Sequence, residues 1–409
     1  MKENTFTETG LSSPPSIDEI ARVGAQEMIR FYLHAEIQEF IERHGHIKTA
    51  DGLSAVVRNG YNRERNFTTS AGTIKVQVPR IRDRSGGGIT FSSALVPRYM
   101  RRSLSIEEAI PLLHLLGISS NDMVEGVQAL LDSPVKGLSA TNITRMKLQW
   151  KKEFEVWKNR NLSDKEYCYI WTDGIHFNLR HDDNRLCTLV IIGALPTGEK
   201  ELIAVESGYR ESTESWLHVL RDLQIRGLKA PKLAIGDGAQ GVWKALKEVF
   251  PQTLWQRCWV HKTANILDKL PDAIQGKAKS LIHQMYTADT RKNAEKSYRQ
   301  FISLYAAKYP KAVECLEKDY EHLFTFYSFP AEHWQHIRST NVIESTFATV
   351  RNRTDRTRGQ GTMETTLMMV FKLLDRASKR WRRLRGYKLI LKVIEGVQFI
   401  DGIERKKAA

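Results

Sequence analysis

The feature that most constrains the fold is a change of hydrophobic pattern near residue 167, where helical spacing gives way to short apolar runs. Three such runs lie at 167–171, 186–195 and 200–207, and they are followed by a helical segment, a fourth run at 232–236 and another helical segment. Short apolar runs bounded by turn residues are typical of buried strands. Consecutive strands followed by alternating strands and helices predict an α/β fold, with a mixed sheet and helices on its faces.

The segments on either side of this sheet have helical patterns. Residues 104–160 predict three helices, which would suit a helix-turn-helix DNA-binding domain or, equally, a plain three-helix bundle with a basic face. Residues 259–337 contain no convincing strand and predict an all-helical insertion. The chain is thereby divided into six parts: an N-terminal arm and helix (1–57), a basic strand and loop segment (58–103), the helix-turn-helix-like domain (104–160), the first part of the core (161–258), the helical insertion (259–337), and the completion of the core with basic C-terminal helices (338–409).

The charge distribution points to a nucleic-acid partner. Lysine and arginine number 62 against 47 acidic residues, a net charge of +15, and the excess is concentrated in 58–102 and 338–409. Such an excess favours a polyanion, most simply double-stranded DNA. The alternative is a set of solvated basic faces. The sequence has no apolar stretch of membrane-spanning length, no signal-peptide pattern and no Cys-x-x-Cys pair, so we expect a cytoplasmic, nucleoid-associated protein without membrane contact.

Two predicted strands end in an aspartate followed by glycine, at Asp173 and at Asp237. Ligands of α/β sheets bind at the carboxyl ends of strands, and glycine allows a ligand to approach the backbone. Asp-Gly is also a common turn dipeptide. Because both pairs leave apolar strands of one predicted sheet, the pattern favours a site over two unrelated turns.

A metal site between these aspartates needs a third acid, and Glu344 is the candidate. Hard cations such as Mg²⁺ take several oxygen ligands, and carboxylates crowd together when a cation neutralises them. Asn341 and Glu344 also have the spacing of a capping box, so Glu344 could instead serve only a helix start.

Cys258 and His261 have the spacing of half a zinc site, but no second pair accompanies them. Half a site binds zinc weakly, so zinc is not the favoured interpretation of this pair. Trp259 and Trp334 are candidates for stacking on an unpaired base, although core packing is the favoured interpretation for both. The side chains predicted to contact DNA are Arg145, Lys147, Lys151, Arg338, Arg351, Arg353, Arg356 and Arg358.

Four motifs follow one another in a recognisable order: Thr-Asp173-Gly, Gly-Asp237-Gly, Gln-Arg-Cys258-Trp-Val-His261 and Ser-Thr-Asn341-Val-Ile-Glu344. In this order the chain, from about residue 58 to 395, resembles the mutator-type family of bacterial insertion-sequence transposases. The resemblance implies an RNase H-like core with a helical insertion, and a DDE triad of Asp173, Asp237 and Glu344. It also implies that Cys258, His261 and Asn341 belong to a signature that supports the site. The residues after Glu344 depart from the family's pattern, so contacts are not carried over to them.

The resemblance also implies a function. A DDE transposase binds the terminal inverted repeats of its element, cleaves DNA and transfers the strand to target DNA. The triad would hold two Mg²⁺ ions, for which Mn²⁺ could substitute, and pairing two ends implies a homodimer or higher oligomer on DNA. Two alternatives are an RNase H-like nuclease or resolvase without strand transfer, and a domesticated DNA-binding regulator without catalysis.

Overall fold

The computed structural model describes residues 15–118, 120–131, 140–179, 182–208, 210–356 and 362–405. The chain forms two compact units, Met1–Lys147 and Leu148–Ala409. The finer domain boundaries given above stay predictions.

The first unit combines a long helix with two short antiparallel strand pairs. The side chain of Ser16 accepts a hydrogen bond from the amide of Glu19 and so caps the start of the long helix. Strands β1 and β4 pair with each other, as do β2 and β3. The elements that begin in this unit are α1 (Ile17–Arg43), β1 (Val56–Tyr61), β2 (Arg65–Thr69), β3 (Gly72–Val76), β4 (Pro79–Asp83), α2 (Leu104–Leu115), α3 (Ser120–Leu131) and α4 (Ala140–Lys158).

Two small cores hold this unit together. One forms where Leu33 of α1 is buried with Phe67 and Ile74 of the β2–β3 hairpin. The other lies between α2 and α3, around Ile110 and Met123. The predicted helical pattern of 104–160 corresponds to α2, α3 and α4, and the role of these helices in DNA binding stays a prediction.

The second unit is built on a five-stranded mixed sheet, which confirms the predicted α/β architecture. Its strand order is β7-β6-β5-β8-β9. The strands β5, β6 and β7 are antiparallel neighbours, whereas β8 and β9 run parallel to β5. The strands and the two helices between them are β5 (Tyr169–Leu179), β6 (Asp182–Ala194), β7 (Lys200–Gly208), α5 (Thr213–Ile225), β8 (Leu233–Gly236), α6 (Gln240–Val249) and β9 (Leu254–Arg257).

Helices α5 and α6 share a core with the sheet. Trp216 and Leu220 of α5 and Leu246 of α6 are buried with Ile191 and Ile203 of the strands. Burying a large apolar side chain of this kind stabilises a fold by roughly 1.5–3 kcal/mol. This core fixes the loops that lead into α5 and α6, and those loops contribute to the site described below.

The remainder of the unit is mainly helical. Residues 259–337 are all described and contain helices and short 3₁₀ turns without a strand. Ile343, Phe347 and Val350, spaced four and three residues apart, are fully buried, so the helix that contains them is anchored by one face. The elements are α7 (Trp259–Leu267), α8 (Asp272–Thr287), α9 (Arg291–Tyr305), α10 (Pro310–Glu317), α11 (Tyr320–Leu323), α12 (Trp334–Ile337), α13 (Asn341–Arg356), α14 (Met363–Ser378), α15 (Ile390–Ile394), β10 (Phe399–Ile400) and β11 (Ile403–Glu404).

Among the residues that the structure describes, no helix has both the length and the apolar composition needed to cross a membrane.

Candidate functional site

The pairing of β5 with β8 brings Asp173 and Asp237 to the same level of the sheet. The two strands run parallel, and their last paired residues are Thr172 and Gly236. The residue that follows each of them in the sequence is an aspartate, Asp173 or Asp237. Parallel neighbours in register place successive residues side by side, so the two carboxylates converge at one edge of the β5–β8 pairing.

The position of Asp173 within its strand differs from the prediction. Asp173 does not end β5, because the strand continues to Leu179 and Asp173 pairs with Val190 of the antiparallel neighbour β6. What ends at Asp173 is the pairing with β8, which is the shorter strand. Asp237 does directly follow its strand, as predicted.

Each aspartate is oriented by the backbone that follows it. The Gly174 amide donates a hydrogen bond of 2.8 Å to Oδ1 of Asp173, and the Ala239 amide donates one of 2.9 Å to Oδ1 of Asp237. Gly238 has a φ of +94°, which favours glycine, and a Cβ there would lie 2.2 Å from Nε of Arg257. The Asp-Gly dipeptides therefore hold the carboxylates in fixed orientations, with Oδ2 of each aspartate free of these bonds.

A third carboxylate, which the sequence did not reveal, joins the pair. Glu211 lies between β7 and α5, and carboxylate oxygens of Glu211, Asp173 and Asp237 all lie within 4.8 Å of one another. In the sequence, Glu211 precedes Ser212, the residue that caps α5, and it has the appearance of an ordinary helix start. Only the tertiary arrangement places it beside the aspartates.

The electrostatics of the three acids reflect their crowding. Burial, followed by the charge of Asp237, raises the pKa of Asp173 to about 7, and the Asp173 side chain is only 7% exposed. Burial, followed by the charges of Asp237 and Asp173, raises the pKa of Glu211 to about 8. Three mutually repelling oxygen donors in one place form a set that could hold a hard divalent cation.

Glu344 belongs to a different group, in which its carboxylate lies within 4.8 Å of ligand atoms of Cys258 and His261. It occupies the first turn of α13, where Oε1 accepts a 2.6 Å hydrogen bond from Oγ1 of Thr340 and lies 3.6 Å from Nδ1 of His261. Its charge makes a small contribution to the raised pKa of Asp173, after burial and the charge of Asp237.

Cys258, His261 and Thr340 form the group that surrounds Glu344. The amide and the hydroxyl of Thr340 lie 3.3 and 3.2 Å from Sγ of Cys258. A hydrogen bond with Cys258 is the main reason that the pKa of His261 is raised to about 9. Burial acts to raise the pKa of Cys258, but hydrogen bonds from His261 and Thr340 outweigh it and lower that pKa.

The predicted capping pair of Asn341 and Glu344 is displaced by one residue. Asn341 is exposed and is the first residue of α13. Thr340 immediately precedes the helix, and its hydroxyl bonds to Glu344. Hence a threonine at the helix boundary, and not Asn341, orients the glutamate.

The tryptophans are structural in this fold. Trp259 is 1% exposed, its Nε1 donates to the carbonyl of Leu323, and its ring packs against Tyr286 and Phe324. The interpretation of Trp259 as a base-stacking platform is therefore wrong, because no ring face is accessible.

Trp334 is half-buried and has a similar structural role. Its Nε1 donates to the carbonyl of Phe329, and its ring meets Phe326 and Tyr327 edge to face. These contacts support the core-packing interpretation, which was favoured for this residue as well.

The residues predicted to contact DNA have varied environments. Arg145 and Arg351 are exposed and Lys147 is half-buried. Lys151 is exposed and forms a 2.5 Å ion pair with Glu364.

Two of the residues predicted to contact DNA, Arg338 and Arg353, are partly or fully buried within the protein. Arg338 is half-buried, donates to the carbonyl of Tyr286 and lies over that ring. Arg353 is 7% exposed, so the prediction that it contacts a phosphate is wrong for this conformation. The Arg356 side chain and all of Arg358 lie outside the described residues.

Comparison with known proteins places these features in context. The family model "Transposase, Mutator family" matches residues 4–383. The chain is 47% identical over 297 residues to the transposase for insertion sequence element IS6120 of Mycolicibacterium smegmatis, covering 73% of this chain and 92% of that protein. It is 49% identical over 289 residues to the transposase for insertion sequence element IST2 of Acidithiobacillus ferrooxidans, covering 69% of this chain and 95% of that protein.

Among solved structures, a match is found with the HTLV-2 integrase catalytic core domain in complex with magnesium. It covers 29% of this chain and 84% of that one, with 16% identity and a TM-score of 0.18. A similarity this low assigns neither a fold nor a ligand to the chain.

Proposed function

The chain belongs to the Mutator family of transposases, and from that premise we propose that it is a DDE transposase of an insertion sequence. It would bind the terminal inverted repeats of its element, cleave the DNA there and join the freed end to target DNA, with Mg²⁺ as cofactor. The observation that carries the proposal is the convergence of Asp173 and Asp237 on adjacent strands, to which the proposal adds Glu344 as the third acid.

An RNase H-like catalytic core is part of the proposal. Its support is the mixed sheet, in which three antiparallel strands are followed by two parallel ones, and in which the two aspartates lie on the adjacent strands β5 and β8. The third acid arrives from α13, after the mainly helical stretch 259–337. This arrangement agrees with a core whose last acidic residue follows a helical insertion.

The donor set fits a hard cation, because buried carboxylates without a neutralising charge repel one another. Asp173 and Asp237 would hold the metal from the sheet, and Glu344 would complete the set from α13. When bound, a pair of Mg²⁺ ions, or of Mn²⁺ ions in their place, activates the attacking oxygen and stabilises the leaving oxygen of an in-line displacement.

The chain's own residues prepare this chemistry. The Gly174 and Ala239 amides fix one oxygen of each aspartate, so the carboxylates are oriented before substrate arrives. In the first step, water attacks a phosphodiester, the P–O3′ bond breaks, and a 3′-hydroxyl is released. In the second step that hydroxyl attacks a phosphodiester of target DNA, whose own 3′-oxygen leaves. Neither step requires a covalent bond to the protein.

The test compares the unmodified protein with Asp173→Ala, Asp237→Ala and Glu344→Ala on DNA that carries the element's ends, with Mg²⁺. We expect loss of cleavage by at least about a thousandfold in each variant, with binding of the ends retained, since positioning and charge stabilisation together contribute several kcal/mol. Glu214→Ala, an exposed substitution in the first turn of α5, is the matched control.

The possible outcomes separate the alternatives. Undiminished cleavage in any one variant removes that residue from the triad. Cleavage without joining by the unmodified protein would indicate a nuclease or resolvase, and binding without cleavage would indicate a DNA-binding regulator.

A further inference from the structure

Glu211 is an acidic side chain that lies close to the two aspartates but is not part of the proposed triad. Its carboxylate oxygens lie within 4.8 Å of those of Asp173 and Asp237. Glu344 belongs to a second group, with Cys258 and His261. Glu211 also lies 3.5 Å from Nε2 of His176, a side chain that is nearly half exposed.

The space that Glu211 occupies exists because residue 174 is glycine. A Cβ added at Gly174 would lie 2.5 Å from Oε1 and 2.7 Å from Cδ of Glu211, distances that real Cβ atoms do not adopt. The backbone at residue 174 is an ordinary strand without a positive φ. Glycine is therefore needed at position 174 because a larger side chain would collide with Glu211, and not because the backbone conformation requires it.

A second glycine holds the backbone of Glu211 in place. A Cβ at Gly241, in the first turn of α6, would lie 2.2 Å from the carbonyl oxygen of Glu211. Immediately after Glu211, the side chain of Ser212 accepts a 3.1 Å hydrogen bond from the Ser215 amide and fixes the start of α5. The glutamate is thus packed against β5 through its side chain and against α6 through its backbone.

We propose that Glu211 is a fourth carboxylate of the metal site, which binds the divalent cation together with Asp173 and Asp237. This inference rests on the proposed function, and it extends the triad by a residue that reaches the site across Gly174. The donor chemistry fits, because Mg²⁺ and Mn²⁺ take oxygen ligands and carboxylates supply them. Here the three donors come from β5, from the loop before α5 and from the loop after β8.

The experiment measures Mn²⁺ binding to the full chain in the absence of DNA, by calorimetry and by electron paramagnetic resonance. We expect Glu211→Gln to weaken Mn²⁺ binding about tenfold or more, a loss of ~1.4 kcal/mol, while the control Glu214→Gln leaves it unchanged. Without metal, and above about pH 8 where Glu211 is ionised, Glu211→Gln is expected to raise the melting temperature, because it removes one of three repelling charges. With Mn²⁺, the metal-induced rise in melting temperature is expected to be smaller than in the unmodified protein.

A structural role alone would give the opposite result. If Glu211→Gln lowers the melting temperature equally with and without Mn²⁺ and leaves Mn²⁺ affinity unchanged, the proposal is wrong. If Asp173→Asn and Asp237→Asn also leave Mn²⁺ affinity unchanged, the metal site itself, and with it the proposed function, fails. If the aspartate variants lose Mn²⁺ and Glu211→Gln does not, only the role of Glu211 fails.

The glycine contact supplies a second, independent test. Gly174→Ala is expected to weaken Mn²⁺ binding in the unmodified background by displacing Glu211, and to have little further effect in a Glu211→Ala background, where the added methyl group has room. Equal losses of affinity in the two backgrounds would show that residue 174 acts without Glu211, and would contradict the inference that Gly174 makes room for the Glu211 side chain.

Discussion

At the scale of single residues, the acidic cluster makes the stability of the metal-free protein depend on pH. Burial and neighbouring charges raise the pKa of Asp173 to about 7 and that of Glu211 to about 8, from ordinary values of 3.8 and 4.5. Below the ordinary values both the folded and the unfolded chain are protonated. As pH rises, the unfolded chain releases its protons first, so the free energy of unfolding falls until the folded carboxyls ionise as well.

We therefore expect the melting temperature in EDTA to fall between about pH 5 and about pH 8, by roughly 2–4 °C for each ~1 kcal/mol lost. Mg²⁺ should restore more stability at the upper end of this range than at the lower end, because ionised carboxylates bind it. Thermal unfolding at several pH values checks both statements. The double variant Asp173→Asn, Glu211→Gln should flatten the profile, and an unchanged slope in that variant would assign the pH dependence to other groups.

Thr340 is the residue that orients Glu344, since its hydroxyl donates the 2.6 Å hydrogen bond to the glutamate. Thr340→Val keeps the shape but removes the hydroxyl, and we expect it to lower the free energy of unfolding by about 1–3 kcal/mol and to reduce cleavage. Thr340→Ser keeps the hydroxyl and should retain most of both. Denaturant unfolding and a cleavage assay measure the effects, and equal behaviour of the valine and serine variants would contradict the role of the hydroxyl.

At the scale of elements, the core between α5 and the sheet carries much of the stability behind the site. Leu220 is 0% exposed within this core, whereas Ile225, at the end of the same helix, is 84% exposed. We expect Leu220→Ala to cost about 2–5 kcal/mol and the control Ile225→Ala to stay within ~0.5 kcal/mol. Chemical denaturation measures both, and similar losses would mean that α5 is not anchored as described.

Some elements could be predicted from the sequence because they are mainly apolar. The predicted runs correspond to the start of β5, the end of β6 and nearly all of β7 and β8, and the mixed sheet follows from their order. The extension of β5 to Leu179 differs from the prediction that the strand ends at Asp173, although Ile175, Phe177 and Leu179 alternate with polar residues as strands do. The short strand β9 has no comparable pattern.

The candidate site could be predicted from the sequence only in part, because one of its residues is brought there by tertiary contacts. Asp173 and Asp237 could be predicted because each follows the apolar residues of a strand. Glu211 could not, because its place depends on contacts with Gly174 and Gly241 that no local pattern encodes. The burial of Trp259 and Arg353 is likewise a property of the packed molecule.

At the scale of the whole molecule, the net charge of +15 predicts DNA binding that weakens as salt is added. Each phosphate contact contributes about −0.9 to the slope of log affinity against log salt for double-stranded DNA. Arg145 is an exposed residue of α4, and Arg145→Gln should lower affinity for DNA ends and reduce the slope by about 1. Titrations at several salt concentrations measure the slope.

The matched control replaces an arginine that already has an acidic partner. Arg221 forms an ion pair with Glu248, so Arg221→Gln should leave the slope unchanged. A slope near zero for the unmodified protein would mean that the basic segments are solvated faces and not a DNA-binding surface.

The hydrogen bonds that backbone amides donate to Asp173 and Asp237 restrict the length of the side chain at these positions as much as its charge. Each hydrogen bond joins an aspartate side chain to an amide one or two residues further along, a ring that short side chains such as aspartate close. A glutamate in either position would keep the negative charge, but the extra methylene would move the carboxylate away from the amide that now donates to it. We therefore expect Asp173→Glu and Asp237→Glu to displace the carboxylate, even though the proposed cation would accept either acid as a ligand.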